Sequence, residues 1–428
     1  MSDADELTID EPVALADVDF FDPAINDCPY GAYRTLRDDA PVWFDERLQG
    51  YVITRHDDVR TVLADTERFV NSRTANKRSR TMSPKILALY EEKGWVPAPT
   101  LAGRDDPNHR EMRNLFNHAF RPKRIAELEP EIGRVADELI DAFVDDGTCE
   151  WVSQFAVPLP LIVIGVQMGA NPDDIWRIKA WTDAWVQRLG LMQTSEQVVW
   201  STEMEIEAQH YFQPIFDRLR VEPDDTLLSD LVNTPIPEWG RCLTDEELHA
   251  EMMADTFVGG SETTTNALSG GVRLLIEHPD QWDRLKGDPD TYLPALVEEV
   301  LRLESPVQRL TRTAVVDVEL HGVTIPAGSS VLIGYAAANR DERTFEQPAR
   351  FDLDRDDARK HLAFGFGTHF CMGAPLARRE LFFGFEALVR RIDEMWFLDD
   401  TDLTIAPNYF LRALKELRIG FRPTGGLR

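Results

Sequence analysis

Apolar positions in this chain recur mostly at three- and four-residue spacing, the period of a helix that buries one face. The clearest stripe is Ala374, Ala377, Leu381, Phe385, Leu388 and Ile392, which predicts a helix from Ala374 to Ile392. Near the start, Tyr30 to Asp39 reads as a short helix. Val42 to Phe44 and Tyr51 to Thr54 read as a hairpin around Gln49-Gly50, with a helix from Asp57. Residues 71–106 are polar, locally basic and proline-bearing, so they read mostly as loop. From Pro107 to about Leu231 the signals are helical. There the apolar run from Val157 to Ala170 carries two prolines and is shorter than the ~20 residues a bilayer span needs, so it reads as a buried helix. A capping box, Thr244-x-x-Glu247, opens a long helix from Leu248 to about Ile276, and Tyr292 to Leu303 forms another. Strand signals return late, at Val315 to Leu320, Val323 to Ile325 and Ser330 to Tyr335, with a turn at His321-Gly322. The sum is a mainly α chain with a minor, segregated β portion. No repeat, low-complexity tract or Gly/Ser linker divides the 428 residues, so one domain over 1–428 is expected, its first 27 residues acidic and loosely ordered.

Composition narrows the function. A net charge of −29 disfavours nucleic acid and anionic membrane surfaces as partners. The four cysteines, Cys28, Cys149, Cys242 and Cys371, are far apart and form no Cys-x-x-Cys pair. That is neither a disulfide framework nor a structural zinc site, and it fits a reducing cytoplasm. The segment from Met1 to Asp27 lacks an apolar signal core, so a cytoplasmic, unanchored protein is expected.

The chemistry concentrates in Phe364-Gly-Phe-Gly-Thr-His-Phe-Cys-Met-Gly373, a glycine-rich loop before the apolar-striped helix. A thiolate at a helix N-terminus is stabilised by aligned peptide dipoles and unpaired N–H groups, and can act as nucleophile or metal ligand. Gly365 and Gly367 permit tight backbone, Gly373 leaves room beside the sulfur, and Phe364 can shield one side of a flat cofactor. The bland alternative is a small buried cysteine without chemistry. The Phe-x-x-Gly-x-x-x-Cys-x-Gly pattern, with His369 two residues before Cys371, resembles the haem-ligand loop of the cytochrome P-450 family. The resemblance, which runs from about residue 20 to 420, implies that family's fold, with haem b between a long kinked helix and the cysteine loop. It implies Cys371 as the axial ligand to iron, where thiolate ligation favours O–O cleavage.

Three further groups carry the resemblance. In Val297-Glu-Glu-Val-Leu-Arg302, Glu299 and Arg302 stand at i and i+3, with Glu299 on the apolar stripe of Leu296, Val300 and Leu303. A carboxylate there needs charged partners. The family's Glu-x-x-Arg element supplies Arg302, and Arg350 is expected as the third member of a structural brace. In Phe257-Val-Gly-Gly-Ser-Glu-Thr-Thr-Thr265, Gly259 and Gly260 weaken a helix by roughly 1 kcal/mol each, so they need a reason. Close helix packing is one reason; the other is a kink leaving space for dioxygen beside haem. In the kink Thr263 would hydrogen-bond the Gly259 carbonyl. The family's acid–alcohol pair carries over to Glu262 and Thr263 as the proton-delivering, catalytic residues, with Thr264 and Thr265 as packing residues. For the haem propionates, the resemblance implies His109, Arg113, Arg312 and His369.

The substrate pocket is the quietest part. The 71–104 loop, the helices around 172–212 and Pro306 to Leu310 would surround it. Trp95, Leu101, Ala254, Phe257, Val258, Val307 and Leu310 would line an apolar cavity suited to a lipophilic or aromatic small molecule. No flavin, nicotinamide or iron–sulfur motif is present, so electrons from a separate ferredoxin or flavodoxin and its NAD(P)H-dependent reductase are expected. Arg113, Lys123, Arg124, Arg359, Lys360, Arg378 and Arg379 would form a basic docking patch. The resulting expectation is a haem-thiolate monooxygenase using O2. Alternatives are a peroxide-using or non-oxygenating relative, a haem sensor without turnover, and a cysteine hydrolase built on Cys371 and His369.

Overall fold

The computed structural model describes residues 11–72, 82–190 and 192–425. Helices dominate, as the periodicity predicts. In chain order the ones that position the site are α1 (Tyr30–Asp39), α2 (His56–Ala64), α3 (Pro84–Lys93), α4 (Asn108–Ala119), α5 (Pro122–Asp141), α6 (Pro158–Gln167), α7 (Ile175–Leu189) and α8 (Ser195–Val221). They are followed by α9 (Asp245–Glu251), a π-helical stretch (Met252–Glu262), α10 (Thr263–Glu277), α11 (Pro289–Glu304) and α12 (Ala374–Arg391).

The expected long helix is therefore one run in three parts. Its start is the predicted capping box: the Thr244 side chain accepts from the Glu247 N–H, and the Glu247 carboxylate accepts from the Thr244 N–H. The middle eleven residues widen to i→i+5 bonding, a geometry found mostly at functional sites. Helix α6 is the buried apolar helix expected there, with its prolines in the first turn where no N–H is needed.

The main sheet has the order β1-β2-β8-β5-β3, with β1 (Val42–Asp45), β2 (Gly50–Ile53), β3 (Phe69–Val70), β5 (Arg309–Ala314) and β8 (Ser330–Gly334). Pairing is antiparallel except between β2 and β8, where Gly50 to Ile53 run beside Ser330 to Ile333. A three-stranded sheet joins β4 (Thr148–Glu150), β10 (Arg418–Pro423) and β9 (Ile392–Phe397), and β6 (Val318–Leu320) pairs with β7 (Val323–Ile325).

One large core welds the helices together. Met112, Trp151, Phe155, Phe212, Phe257, Leu268, Val300 and Phe385 are all buried in it. Burying side chains of this size stabilises by roughly 1.5–3 kcal/mol each. The result is a rigid frame in which α10 and α11 pack on α12, the helix that follows the cysteine loop.

Candidate active site

The cysteine loop is closed by its own backbone. The Cys371 N–H donates to the Phe364 carbonyl at 2.8 Å, and Gly365 and Gly367 take left-handed φ of +71° and +72°. A side chain at Gly367 would also press on the Leu63 carbonyl, 3.1 Å from an added Cβ. The Cys371 sulfur faces the N–H groups of Gly373 and Ala374 at the start of α12. Desolvation pushes the thiol up, against those two amides and the Arg113 and Arg378 cations. Those amides and cations would favour the thiolate form once a cation takes up the sulfur as a ligand.

Behind the loop, Arg378 stacks 4.5 Å from the Phe364 ring and donates to Glu298 at 2.7 and 3.1 Å. His361 bonds the same carboxylate at 3.1 Å. Burial works against charge on Glu298, yet His361 and Arg378 hold it down at about 2. Deeper still, Arg302 donates to Glu299 at 2.7 and 2.8 Å, both side chains fully buried. The expected third member is corrected here. The second cation on Glu299 is Arg355, at 3.1 Å. Arg350 contributes its backbone carbonyl to Arg302 and Arg355, while its guanidinium is half exposed and 3.9 Å from Asp352.

The sequence-predicted haem contacts converge on the other flank of the loop. His109 is 1% exposed; its Nδ1 lies 3.6 Å from the Asp106 carboxylate and its Nε2 has no hydrogen-bond partner. Its ring lies 3.9 Å from that of His369. Asn71, which sequence reasoning missed, bonds His369 Nε2 at 2.8 Å. An amide N–H donated there puts the ring proton on Nδ1. Burial, His109, Arg312 and Arg113 depress His369 to about 3, so it is neutral. Arg312 is buried against the Tyr335 hydroxyl. Arg113 grips the loop itself, donating to the Thr368 and Phe370 carbonyls at 3.1 and 2.6 Å. An unpartnered His109 nitrogen, with the Arg312 and Arg113 cations near the Cys371 loop, fits an anionic, iron-bearing cofactor such as haem, whose propionates these groups would meet.

The π stretch and the start of α10 carry the residues expected on the oxygen side, Gly259, Gly260, Glu262 and Thr263. Gly260 packs on Ile164, 3.4 Å from an added Cβ, which is the close-packing reason for that glycine. Gly259 is exposed, and Thr263 Oγ1 donates to its carbonyl at 3.1 Å. Glu262 turns to the opposite side. It is buried and accepts from Thr182 at 2.7 Å, with Lys179 Nζ at 3.2 Å. Burial alone would lower Lys179, but Glu262 and Asp183 outweigh it and hold the ammonium charged. Thr265 packs by donating to the Ala156 carbonyl, whereas Thr264 meets Glu380, a buried acid pushed well up by desolvation.

Several expected pocket residues take other positions. Phe257 is wholly buried with its ring 5.2 Å from Phe212, and Val258 is buried beside it. Both face the core because the widened turns rotate the helix. Trp95 is held between His249 and His210, at 4.5 and 5.5 Å, with its backbone paired to Gln209. Leu101 is buried, its N–H on Glu251. Ala254, Val307 and Leu310 keep open surface. The docking arginines are mostly occupied: Arg124 is buried on Asp230, and Arg379 pairs with Glu129.

Comparison with known proteins converges on this geometry. Residues 203–395 match the family model for cytochrome P450. The steroid C26-monooxygenase of Mycolicibacterium smegmatis is 36% identical over 328 residues, covering 76% of this chain and 80% of that protein. The cytochrome P450 monooxygenase PikC of Streptomyces venezuelae is 35% identical, over 92% and 91% of the two chains. Among solved structures, cytochrome P450 CYP109Q5 from Chondromyces apiculatus superposes with a TM-score of 0.83 at 33% identity, over 96% of this chain and all of that one. CYP109E1 from Bacillus megaterium, in complex with testosterone, gives 0.78 at 32%, over 92% and 99%. A cysteine loop leading into α12, in a chain whose long helix is broken by a π stretch, thus fits a haem-thiolate oxygenase. The chain belongs to the cytochrome P-450 family and is a monooxygenase of bacterial type.

Proposed function

We propose that the chain binds haem b through Cys371, takes electrons from a ferredoxin or flavodoxin in the cytoplasm, and hydroxylates a lipophilic small molecule. The observation that carries the reading is the pairing of the Cys371 loop with an open Gly259–Thr263 segment. Haem, when bound, supplies the iron at which dioxygen is activated. The Cys371 sulfur ligates it, and His109, His369 and Arg312, with Arg113 beside them, would donate to its propionates. The Thr263 hydroxyl holds a proton on the Gly259 carbonyl, poised toward the open side. Glu262 is linked through Lys179 to Asp183, whose carboxylate is half exposed, a chain of polar groups from solvent to the buried side chain. Rotation of Glu262 toward Thr263 would complete general acid delivery. Peroxide use without electron transfer, and haem sensing without turnover, need neither residue.

In a reconstituted system with ferredoxin and reductase, Thr263→Ala is expected to keep consuming reduced cofactor. Product yield per cofactor should fall about tenfold or more, within the range of a lost general acid, and hydrogen peroxide should appear in its place. Unchanged coupling would remove Thr263 from this role.

A further inference from the structure

Along the π stretch, protein leaves one side uncovered. Ala254, Asp255, Gly259, Gly260 and Thr263 keep exposed surface, while Met252, Met253, Thr256, Phe257, Val258, Ser261 and Glu262 are buried. An alanine and two glycines make that side shallow and apolar, and Asp255 is the one charged side chain on it. Its Oδ2 accepts from the Ala102 N–H at 2.9 Å, and the Thr100 side chain bonds it as well. A carboxyl has about four lone-pair positions, so these two donors leave acceptor capacity on a side chain that is itself part exposed. No ion pair engages Asp255 among the described residues: Arg104, the nearest loop cation, pairs with Glu247 at 3.1 Å. Glu251, one turn earlier, is buried and holds the Leu101 N–H, so it serves the loop and does not reach the open side. Burial pushes Asp255 up.

A carboxyl at the edge of an apolar pocket is costly unless a donor meets it. Small-molecule sites use a few such groups to fix orientation. Resting on the reading of this side as the substrate face of a haem site, we propose that Asp255 is a specificity-determining residue, the acceptor that selects lipophilic substrates bearing a hydroxyl.

The test uses haem-loaded protein and two steroids that differ at one position, testosterone with a 17-hydroxyl and androst-4-ene-3,17-dione with a ketone there. Affinity is read from the substrate-induced shift of the haem band. Wild type is expected to bind the hydroxyl probe about tenfold tighter, the size of one hydrogen bond to a charged or polar acceptor. Asp255→Leu should bring the ratio near one. Asp255→Asn keeps an acceptor for the Ala102 N–H and adds an amide donor, so it should shift preference toward the ketone. Equal affinities in wild type, or a hydroxyl preference that survives in Asp255→Leu, would overturn the assignment. Haem content and the carbon monoxide band of each reduced variant are recorded alongside. A red-shifted band with unchanged preference refutes the role of Asp255 alone, whereas an unshifted band in wild type refutes the haem-thiolate reading beneath it.

Discussion

Glu299 accepts from Arg302 twice, from Arg355, and from the Asp352 N–H, all at 2.7–3.1 Å. Removing one partner of a buried pair leaves charge uncompensated, at a cost of about 3–5 kcal/mol. Arg355→Ala deletes one of the four bonds on Glu299, and with it the ion pair to Asp357 and the bonds to the Glu346, Gln347 and Arg350 carbonyls, so a loss of about 3 kcal/mol is expected. Arg350→Ala removes an exposed guanidinium and should change stability by less than about 0.5 kcal/mol. Thermal melts of the two haem-loaded variants check this, and a larger loss for Arg350→Ala would reinstate it as the partner. The Glu299–Arg302 pair is legible in the sequence because helical spacing fixes who faces whom. The second cation is not, because Arg350 and Arg355 lie five apart in irregular backbone, where spacing says nothing about which turns inward. Asn71 and Asp255 escaped for a related reason. One acts across 298 residues of sequence, and the other was hidden among apolar neighbours on a helix of unforeseen period.

At the level of elements, the errors trace to particular physical conflicts. Helix α3 carries readable signals: Ser83 accepts from the Ile86 N–H, Pro84 opens the helix, Gly94 follows it, and Ile86 and Tyr90 are buried four apart. Polar flanking sequence masked them. The helix is fixed by contacts no local pattern reports, since Tyr90 donates to Glu205 of α8 at 2.6 Å and Arg188 of α7 bonds both. Strand β5 was missed because two arginines interrupt its alternation. Arg309 is nonetheless buried, stacked 4.2 Å from both Phe20 and Tyr409, so long-range aromatic contact makes a strand residue of a charged one. The π stretch lies beyond periodicity altogether. Over eleven residues a widened turn and an α turn place apolar residues too similarly, yet the difference moves Phe257 and Val258 into the core and Asp255 onto the open side. The paired glycines were the one legible sign of it.

For the whole molecule, a net charge of −29 makes any residual basic area conspicuous to an acidic partner. Once buried and tight ion pairs are counted, the docking reading narrows to the exposed Arg359 and Lys360 and to Lys123, which is 82% exposed and paired only across 3.7 Å with the exposed Glu127. Phe370 of the cysteine loop is exposed at 39%, an apolar group on the surface of that loop. Lys123→Glu with Lys360→Glu should raise the KM for ferredoxin several-fold and flatten its salt dependence, as for rim charges that steer association. Unchanged KM and salt dependence would place docking elsewhere. Arg124→Glu, by contrast, should chiefly destabilise the fold, because Arg124 is buried against Asp230 and the new carboxylate would face that acid.

All of these expectations depend on what Cys371 ligates. The direct measurement is the Soret band of the dithionite-reduced protein under carbon monoxide, for wild type and for Cys371→Ala. A strongly red-shifted band in wild type, lost in Cys371→Ala, is the predicted result. An unshifted band in wild type, or a red-shifted one that survives the loss of Cys371, would contradict the account.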